Sequence, residues 1–366
     1  MKIAILTSSR ADYSIYLPLL KALKADQFFD LQIIVFGTHL SKRFGETANQ
    51  ITADGFEIAI KVDTMPDSDS PSDISAGMGK TVLNFSSIWK EHQFDLVVAL
   101  GDRYEMFAAC ASSIPFGVKI AHIHGGETTK GAIDDIFRNS LSLMATYHFT
   151  TTDIYKNRVI ELLGKAKNVF NVGALSVDNL NSLKLLSVIQ IKKKFGLDLN
   201  IPSILITFHP ETVDYEKNRE YINELISALK EIYGYQFVIT MPNADTMGNM
   251  VRQELNKFIS ICSSAYGIES FGTLGYLSAM KHCHMMLGNT SSGFVEAAFF
   301  NKYVINIGER QRGRILTKNI RSCNINKDEI IAAVSDFKHT FLTVDVNIYG
   351  DGKAAQKITS LIKQLL

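Results

Sequence analysis

Three acidic positions stand just past short apolar runs in the first half of this chain. They are Asp102 in Gly101-Asp102-Arg103, Glu127 at the end of His122-Ile-His-Gly-Gly-Glu127, and Asp134, with Asp135 beside it, in Ile133-Asp-Asp135. Carboxylates take and return protons, and several that converge on one substrate can divide the acid and base halves of a reaction. If the apolar runs are neighbouring parallel strands, their C-terminal ends open onto the ligand crevice of an α/β sheet and the carboxylates meet there. Arg103 lies in the same turn and is a further catalytic candidate.

Other segments offer anion binding. Gly288-Asn-Thr-Ser-Ser-Gly293 follows an apolar run and precedes a helical pattern over 294–300. Small residues there let the backbone approach a diphosphate, and Ser291, Ser292 and Gly293 present hydroxyl and N–H donors at a helix N-terminus. Glu296, one turn on, is placed to accept hydrogen bonds from ribose hydroxyls. Arg310-Gln-Arg-Gly-Arg314 brings the guanidinium groups of Arg310, Arg312 and Arg314 to the same rim. His209, in Thr207-Phe-His-Pro-Glu211, sits at another strand end and can donate to a leaving phosphate. Near the N-terminus, Thr7-Ser-Ser-Arg-Ala-Asp12 joins the first strand to the first helix. Arg10 can contact phosphate there while Asp12 serves as the helix N-cap.

The elements that must position these groups alternate between β-rich runs and amphipathic helical patterns, which points to parallel βαβ units. Strands are predicted at 2–7, 31–36, 57–62, 95–100, 119–124, 147–151 and 168–172, and then at 203–208, 236–241, 284–287 and 303–307. A helix is predicted from Asp12 to Lys24, a polar mobile loop from Asp63 to Ser75, and one long Lys-rich helical connection from Asp178 to Lys194. The resulting division is 1–175 for a first Rossmann-like domain and 176–352 for a second. A terminal helix, 353–366, is expected to pack back on the first.

The chain has 366 residues, 46% of them hydrophobic, enough for two cores. A net charge of +1 argues against electrostatic capture of nucleic acid. Lys192-Lys193-Lys194 reads as a solvated helix face. No apolar stretch approaches the roughly 20 residues of a membrane span, and Met1–Leu6 runs straight into a strand, so a cytoplasmic enzyme is expected. The 4 cysteines are scattered without C-x-x-C spacing. His122/His124 and His282/His284 each share a strand face but lack further ligands at metal spacing, so no metal is expected. G-x-G-x-x-G and G-x-x-x-x-G-K-[ST] are both missing, which disfavours a dinucleotide oxidoreductase or a P-loop enzyme.

Taken in order, Arg10-Ala-Asp-Tyr-Ser14, Gly101-Asp102-Arg103, His122-Ile-His-Gly-Gly-Glu127, Ile133-Asp-Asp135, Phe208-His-Pro210, Gly288-Asn-Thr-Ser-Ser-Gly293 and Arg310-Gln-Arg-Gly-Arg314 resemble UDP-N-acetylglucosamine 2-epimerases. The wording is similar to that of the hydrolysing branch, which begins sialic-acid and legionaminic-acid biosynthesis. The other branch carries Gly-Gln-His after its second strand, where this chain has Gly37-Thr-His-Leu-Ser41. The resemblance implies two Rossmann-like domains in the glycosyltransferase-B architecture, with the active site in the interdomain cleft. It implies a UDP-sugar substrate, UDP as product, no cofactor, and a homo-oligomer, dimer or tetramer. Asp102, Glu127 and Asp134 would then be the acid/base groups, with Arg103 and His209 assisting. UDP would be held by Arg10, Ser14, His209, Ser291, Ser292, Gly293, Glu296, Arg310 and Arg314. The implied reaction converts UDP-GlcNAc and water to N-acetylmannosamine and UDP. The alternatives are a hydrolysing UDP-N,N'-diacetylbacillosamine 2-epimerase, a glycosyltransferase of the same fold, or a non-catalytic nucleotide-sugar sensor.

Overall fold

The first seven apolar runs become strands β1 (Lys2–Thr7), β2 (Asp30–Phe36), β3 (Ile58–Val62), β4 (Leu96–Leu100), β5 (Ile120–Ile123), β6 (Tyr147–Thr150) and β7 (Val169–Asn171). They form one parallel sheet in the order β3-β2-β1-β4-β5-β6-β7. The second half supplies β8 (Ser203–Thr207), β9 (Gln236–Thr240), β10 (Ala265–Ile268), β11 (Met285–Gly288), β12 (Tyr303–Ile307) and β13 (Ile320–Cys323). Their sheet is also parallel, in the order β10-β9-β8-β11-β12-β13. The computed structural model describes residues 1–336 and 347–366. The stretch 337–346, which the sequence reading gives to the second domain, lies outside the described residues.

The chain forms two compact units. The first comprises Met1–Glu127, Asp134–Asn181 and Asn347–Leu366, the second Thr128–Ile133 and Ser182–Val346. In each, a parallel sheet reverses its direction of growth at one point, between β1 and β4 in the first and between β8 and β11 in the second. Loops after the strands flanking such a reversal diverge to opposite faces and leave a crevice for ligand. Both sheets are therefore built to bind at that end.

Alternation along the strands explains why helices cover both faces of the first sheet. Ile3, Ile5, Ile33, Val35, Leu96 and Val98 pack on one side with Tyr16, Leu20 and Leu23 of the Arg10–Ala25 helix. Ala4, Leu6, Ile34, Phe36, Val97 and Ala99 pack on the other, against Phe85, Ile88 and Trp89 of the Pro71–Glu91 helix and Met106 of the Tyr104–Ser113 helix. Ile358 and Ile362 of the terminal Ala354–Leu365 helix join the first cluster. Asp178 holds the start of that helix by accepting from Ala354 N (3.0 Å) and Ala355 N (2.8 Å). No helix among the described residues is long and apolar enough to cross a membrane.

Four local expectations are corrected. The polar segment 63–75 is not all loop, because a 21-residue helix begins at Pro71. Ser70 caps it by accepting from Asp73 N, and Pro at the first helical position loses no hydrogen bond, so residues that elsewhere break structure here start it. The Lys-rich connection is two helices, Leu175–Ser182 and Val188–Phe195, the second restarted by Ser187 and Gln190 capping each other. The break between them is tertiary: Leu186 N donates to Ser278 Oγ (2.9 Å), and Leu186 O accepts from His282 Nε2 (3.0 Å). The N-cap of the first helix is Ser9, not Asp12. Finally, 294–300 is not one helix: Ser291–Gly293 forms a 3-10 turn, and only Glu296–Phe299 is α-helical.

Candidate active site

The loop after β4 and the loop after β5 are neighbours because their strands pair, and they bring Asp102 and Glu127 onto one guanidinium. Arg138, from the Asp134–Met144 helix, is buried and ion-paired through Nη2 to Asp102, while its Nη1 lies 3.8 Å from Glu127 Oε2. Charges taken out of water persist when they are paired, so one arginine permits two carboxylates in a small volume. Thr151 Oγ1 donates to Glu127 Oε1 (3.1 Å), and His124 Nδ1 lies 3.0 Å from the same oxygen. Asp134 begins the helix one turn before Arg138 and shares its face, half-buried like Asp135. Arg103 contacts the buried Glu105 with two prongs, Nε to Oε2 (3.1 Å) and Nη2 to Oε1 (3.0 Å).

The backbone that carries these groups is tightly specified. Gly126 has φ 78°, and a Cβ there would run into Tyr155 O, so the turn between β5 and Glu127 admits only glycine. His122 is fully buried within β5. Its Nε2 donates to Gly101 O (2.8 Å), and its Nδ1 lies 3.0 Å from Ser142 Oγ. Burial pushes this imidazole down to about 4, so it is neutral at physiological pH. It thereby ties the turn that carries Asp102 to the helix that carries Arg138.

At the switch point of the same sheet, the Thr7–Asp12 turn is organised around Asp12. Its carboxylate accepts from Ser8 N (2.8 Å), Ser9 N (3.0 Å) and Thr7 Oγ1 (2.9 Å), and His39 Nε2 lies 3.8 Å away. Burial raises the Asp12 carboxyl, but the hydrogen bond and charge of His39, with the Ser8 and Thr7 donors, carry it below the usual carboxylate range. His39 comes from Gly37-Thr-His-Leu and also bonds Thr47 Oγ1 (2.7 Å). Arg10 stands half-buried at the start of the helix. Ser14 lies a turn further along, and its carbonyl accepts from Asn179 Nδ2 (2.7 Å).

In the second unit, the turns after β8 and β11 are bonded directly to each other. His209 N donates to Asn289 Oδ1 (2.7 Å), and Asn289 Nδ2 donates to His209 O (2.8 Å). Asn243 N approaches His209 Nδ1 at 3.4 Å, so in its neutral form the ring carries its proton on Nε2. Gly288, at φ 143°, lies so close to Thr207 O that no side chain fits. Beyond it, Ser292 Oγ pairs with Tyr276 OH (2.6 Å) and Thr290 Oγ1 (3.2 Å), and Ser291 is exposed. Gly293 packs on Val304, and Glu296 is the half-buried first residue of its short helix. A 3-10 turn followed by four helical residues has little macrodipole, so any anion binding here rests on the hydroxyl and N–H donors themselves.

The three arginines of 310–314 divide. Arg310 is buried, donating to Pro210 O (2.5 Å) and to Asp245 (3.1 Å), while Glu211 accepts from its backbone N–H (3.2 Å). It joins the segments after β8, β9 and β12. Arg312 is exposed and pairs with Glu309 (2.9 Å), and Arg314 is half-buried. Arg310→Met, which removes a buried ion-pair partner of Asp245, is expected to cost about 3–5 kcal/mol. Arg312→Ala is expected to cost no more than about 1 kcal/mol. Urea titrations of the two variants check the contrast, and equal losses would refute the division.

Arg138 and His124 are the site groups that sequence reasoning did not assign. Arg138 was within reach, since it follows Asp134 by one helical turn and a lone arginine on that face must meet the acidic turn. The described residues hold no cluster of three or more His, Cys, Asp or Glu with metal-binding geometry. The cysteines Cys110, Cys262, Cys283 and Cys323 are free.

Two parallel Rossmann-like units, one with paired carboxylates at the strand ends and the other with polar turns at its reversal point, define an α/β protein of the glycosyltransferase-B kind. The family described as UDP-N-acetylglucosamine 2-epimerase matches residues 21–363, and the chain belongs to it. The GDP/UDP-N,N'-diacetylbacillosamine 2-epimerase (hydrolyzing) of Campylobacter jejuni is 34% identical over 89% of this chain and 85% of its own. The UDP-N,N'-diacetylbacillosamine 2-epimerase (hydrolyzing) of Legionella pneumophila is 30% identical over 100% of this chain and 96% of its own. The crystal structure of the Neisseria meningitidis UDP-GlcNAc 2-epimerase bound to UDP-GlcNAc superposes with a TM-score of 0.83 at 18% identity, covering 100% of both chains. That likeness establishes the fold.

Proposed function

We propose that the chain is a hydrolysing UDP-N-acetylglucosamine 2-epimerase, converting UDP-GlcNAc and water to N-acetylmannosamine and UDP. The observation that carries the chemistry is the pairing of Asp102 and Glu127 on Arg138, with Asp134 a turn away on the helix that carries it. The proton on C2 of the sugar has no adjacent carbonyl and is weakly acidic. A carboxylate must remove it as the anomeric C–O bond loosens, giving a glycal. Inversion at C2 then requires a proton from the opposite face, so one acid/base group is not enough. We assign Asp102 and Asp134 to proton transfer at C2 and Glu127 to the base or hydration role.

Departure of UDP needs fixed donors where charge develops. His209, with its proton on Nε2, and the donors of Ser291 and Ser292 suit the diphosphate, and Arg10 adds a charge-assisted contact. Ser14 and Arg314 complete that set. Glu296 suits the ribose hydroxyls. Arg310, neutralised by Asp245, acts by holding the turn, as Gly293 does by its packing. Cytoplasmic location and a homo-oligomer, dimer or tetramer, belong to the same proposal.

A second reading, the UDP-N,N'-diacetylbacillosamine 2-epimerase, is favoured by the names of the Campylobacter and Legionella relatives. The two substrates differ only at C4 and C6 of the sugar. Incubation with each substrate and no acceptor decides, by kcat/KM for release of UDP together with a free 2-epimeric sugar. Release of UDP from neither would refute both readings.

A further inference from the structure

His124 directly follows β5 with φ 69°, a left-handed conformation that a non-glycine residue keeps only where its surroundings hold it. His124 N donates to Phe149 O (3.2 Å), and the turn sets the ring against Glu127, with Nδ1 3.0 Å from Oε1. An ionised carboxylate only accepts, so in its neutral form the ring donates from Nδ1 and carries its lone pair on Nε2. That Nε2 is buried and has no hydrogen-bond partner among the described residues. Leaving a buried acceptor unsatisfied costs free energy, and the cost is repaid when a ligand brings the missing donor. Its sequence neighbour His122 differs, since both of that ring's nitrogens are occupied within β5 and its surroundings.

Resting on the hydrolysing reading above, we propose that His124 Nε2 is the base for hydration of the glycal and that Glu127 acts through it. A carboxylate on Nδ1 fixes both tautomer and orientation and stabilises the imidazolium that forms, which is the division of labour in a carboxylate–imidazole pair. Thr151 and Arg138 hold Glu127 for that task. In the step, an O–H bond of water breaks and its proton passes to Nε2. The oxygen lone pair forms the bond to C1, and the C1–C2 π pair takes a proton at C2 from a carboxylic acid of the cluster. Over the turnover one carboxylate gains the original C2 proton, one acid loses a proton and His124 gains one. The net proton leaves to solvent as UDP departs with one more negative charge than it bore in the substrate.

The test follows product partition in the full-length enzyme. His124→Gln is expected to go on expelling UDP while hydration falls roughly 10²-fold, the loss typical of one general base, so that the glycal becomes the main sugar product. In His124→Ala, added imidazole is expected to restore free sugar in a saturable way, which a structural role would not allow. A His124→Gln enzyme that yields free sugar at the wild-type rate overturns the inference. So do variants in which UDP release and sugar formation fall together and imidazole has no effect. A wild-type enzyme that releases no UDP overturns the underlying reading, and this one with it.

Discussion

Asp102→Asn and Glu127→Gln are each expected to lower turnover by roughly 10²–10⁴, the range for a lost acid/base group, while UDP affinity stays nearly intact. The separation arises because the two carboxylates belong to the first unit's strand ends, whereas the donors assigned to the diphosphate lie mainly after β8 and β11. Both changes preserve side-chain shape, so Arg138 keeps its hydrogen-bond acceptor at position 102 and a polar neighbour at position 127. Steady-state kinetics alongside calorimetric titration with UDP would check this. Near-normal kcat in both variants, or a UDP affinity that falls in step with kcat, would defeat the assignment.

Arg138→Met carries the other large effect. It removes the buried cation shared by Asp102 and Glu127, so that both carboxylates lose their arginine partner. Breaking a buried ion pair by deleting one partner costs about 3–5 kcal/mol, because the remaining charge is stranded. Denaturant unfolding should therefore show a lowered midpoint, and activity should be lost with it. Arg138→Lys tests geometry separately: it restores the charge but replaces the planar fork by a point donor. A stable Arg138→Met protein with unchanged kcat would contradict the role given to this residue.

How far the sequence revealed this architecture depended on burial. The seven strands of the first sheet were legible because all but the last are mainly apolar or alternating runs, most of them buried at most positions, and closed by glycine or polar turns. β10 and β13 were not. They are the two outermost strands of the second sheet, short and partly exposed, and their residues, Ala-Tyr-Gly-Ile and Ile-Arg-Ser-Cys, show no buried run. The 128–133 segment could not be read at all. Its polar residues look like ordinary loop, yet it belongs to the second unit, where Lys130 N donates to Arg312 O (3.1 Å) and Thr212 N to Gly131 O (3.2 Å).

The same limit applied to the candidate site. Residue type and spacing made Asp102, Glu127 and Asp134 visible, since carboxylates past strand ends stand out against apolar neighbours. The contacts that organise them are long-range, from Arg138 and from His124 on its left-handed turn, and no periodicity announces such pairings. The anion-binding motifs were legible as donors but not as geometry. Arg310 is charge-neutralised in the fold, and the helix expected after Ser291 is too short to supply a dipole.

Isotope tracing of a single product mixture tests the central claim most directly. Run in deuterium oxide and, separately, in oxygen-18 water, the enzyme is expected to yield a free 2-epimeric sugar with deuterium at C2 and UDP free of oxygen-18. That pattern requires C2–H cleavage and breakage of the anomeric C–O bond, not of a P–O bond. A nucleotide-bound epimer as the main product, or a sugar that keeps its original C2 hydrogen, would contradict the account.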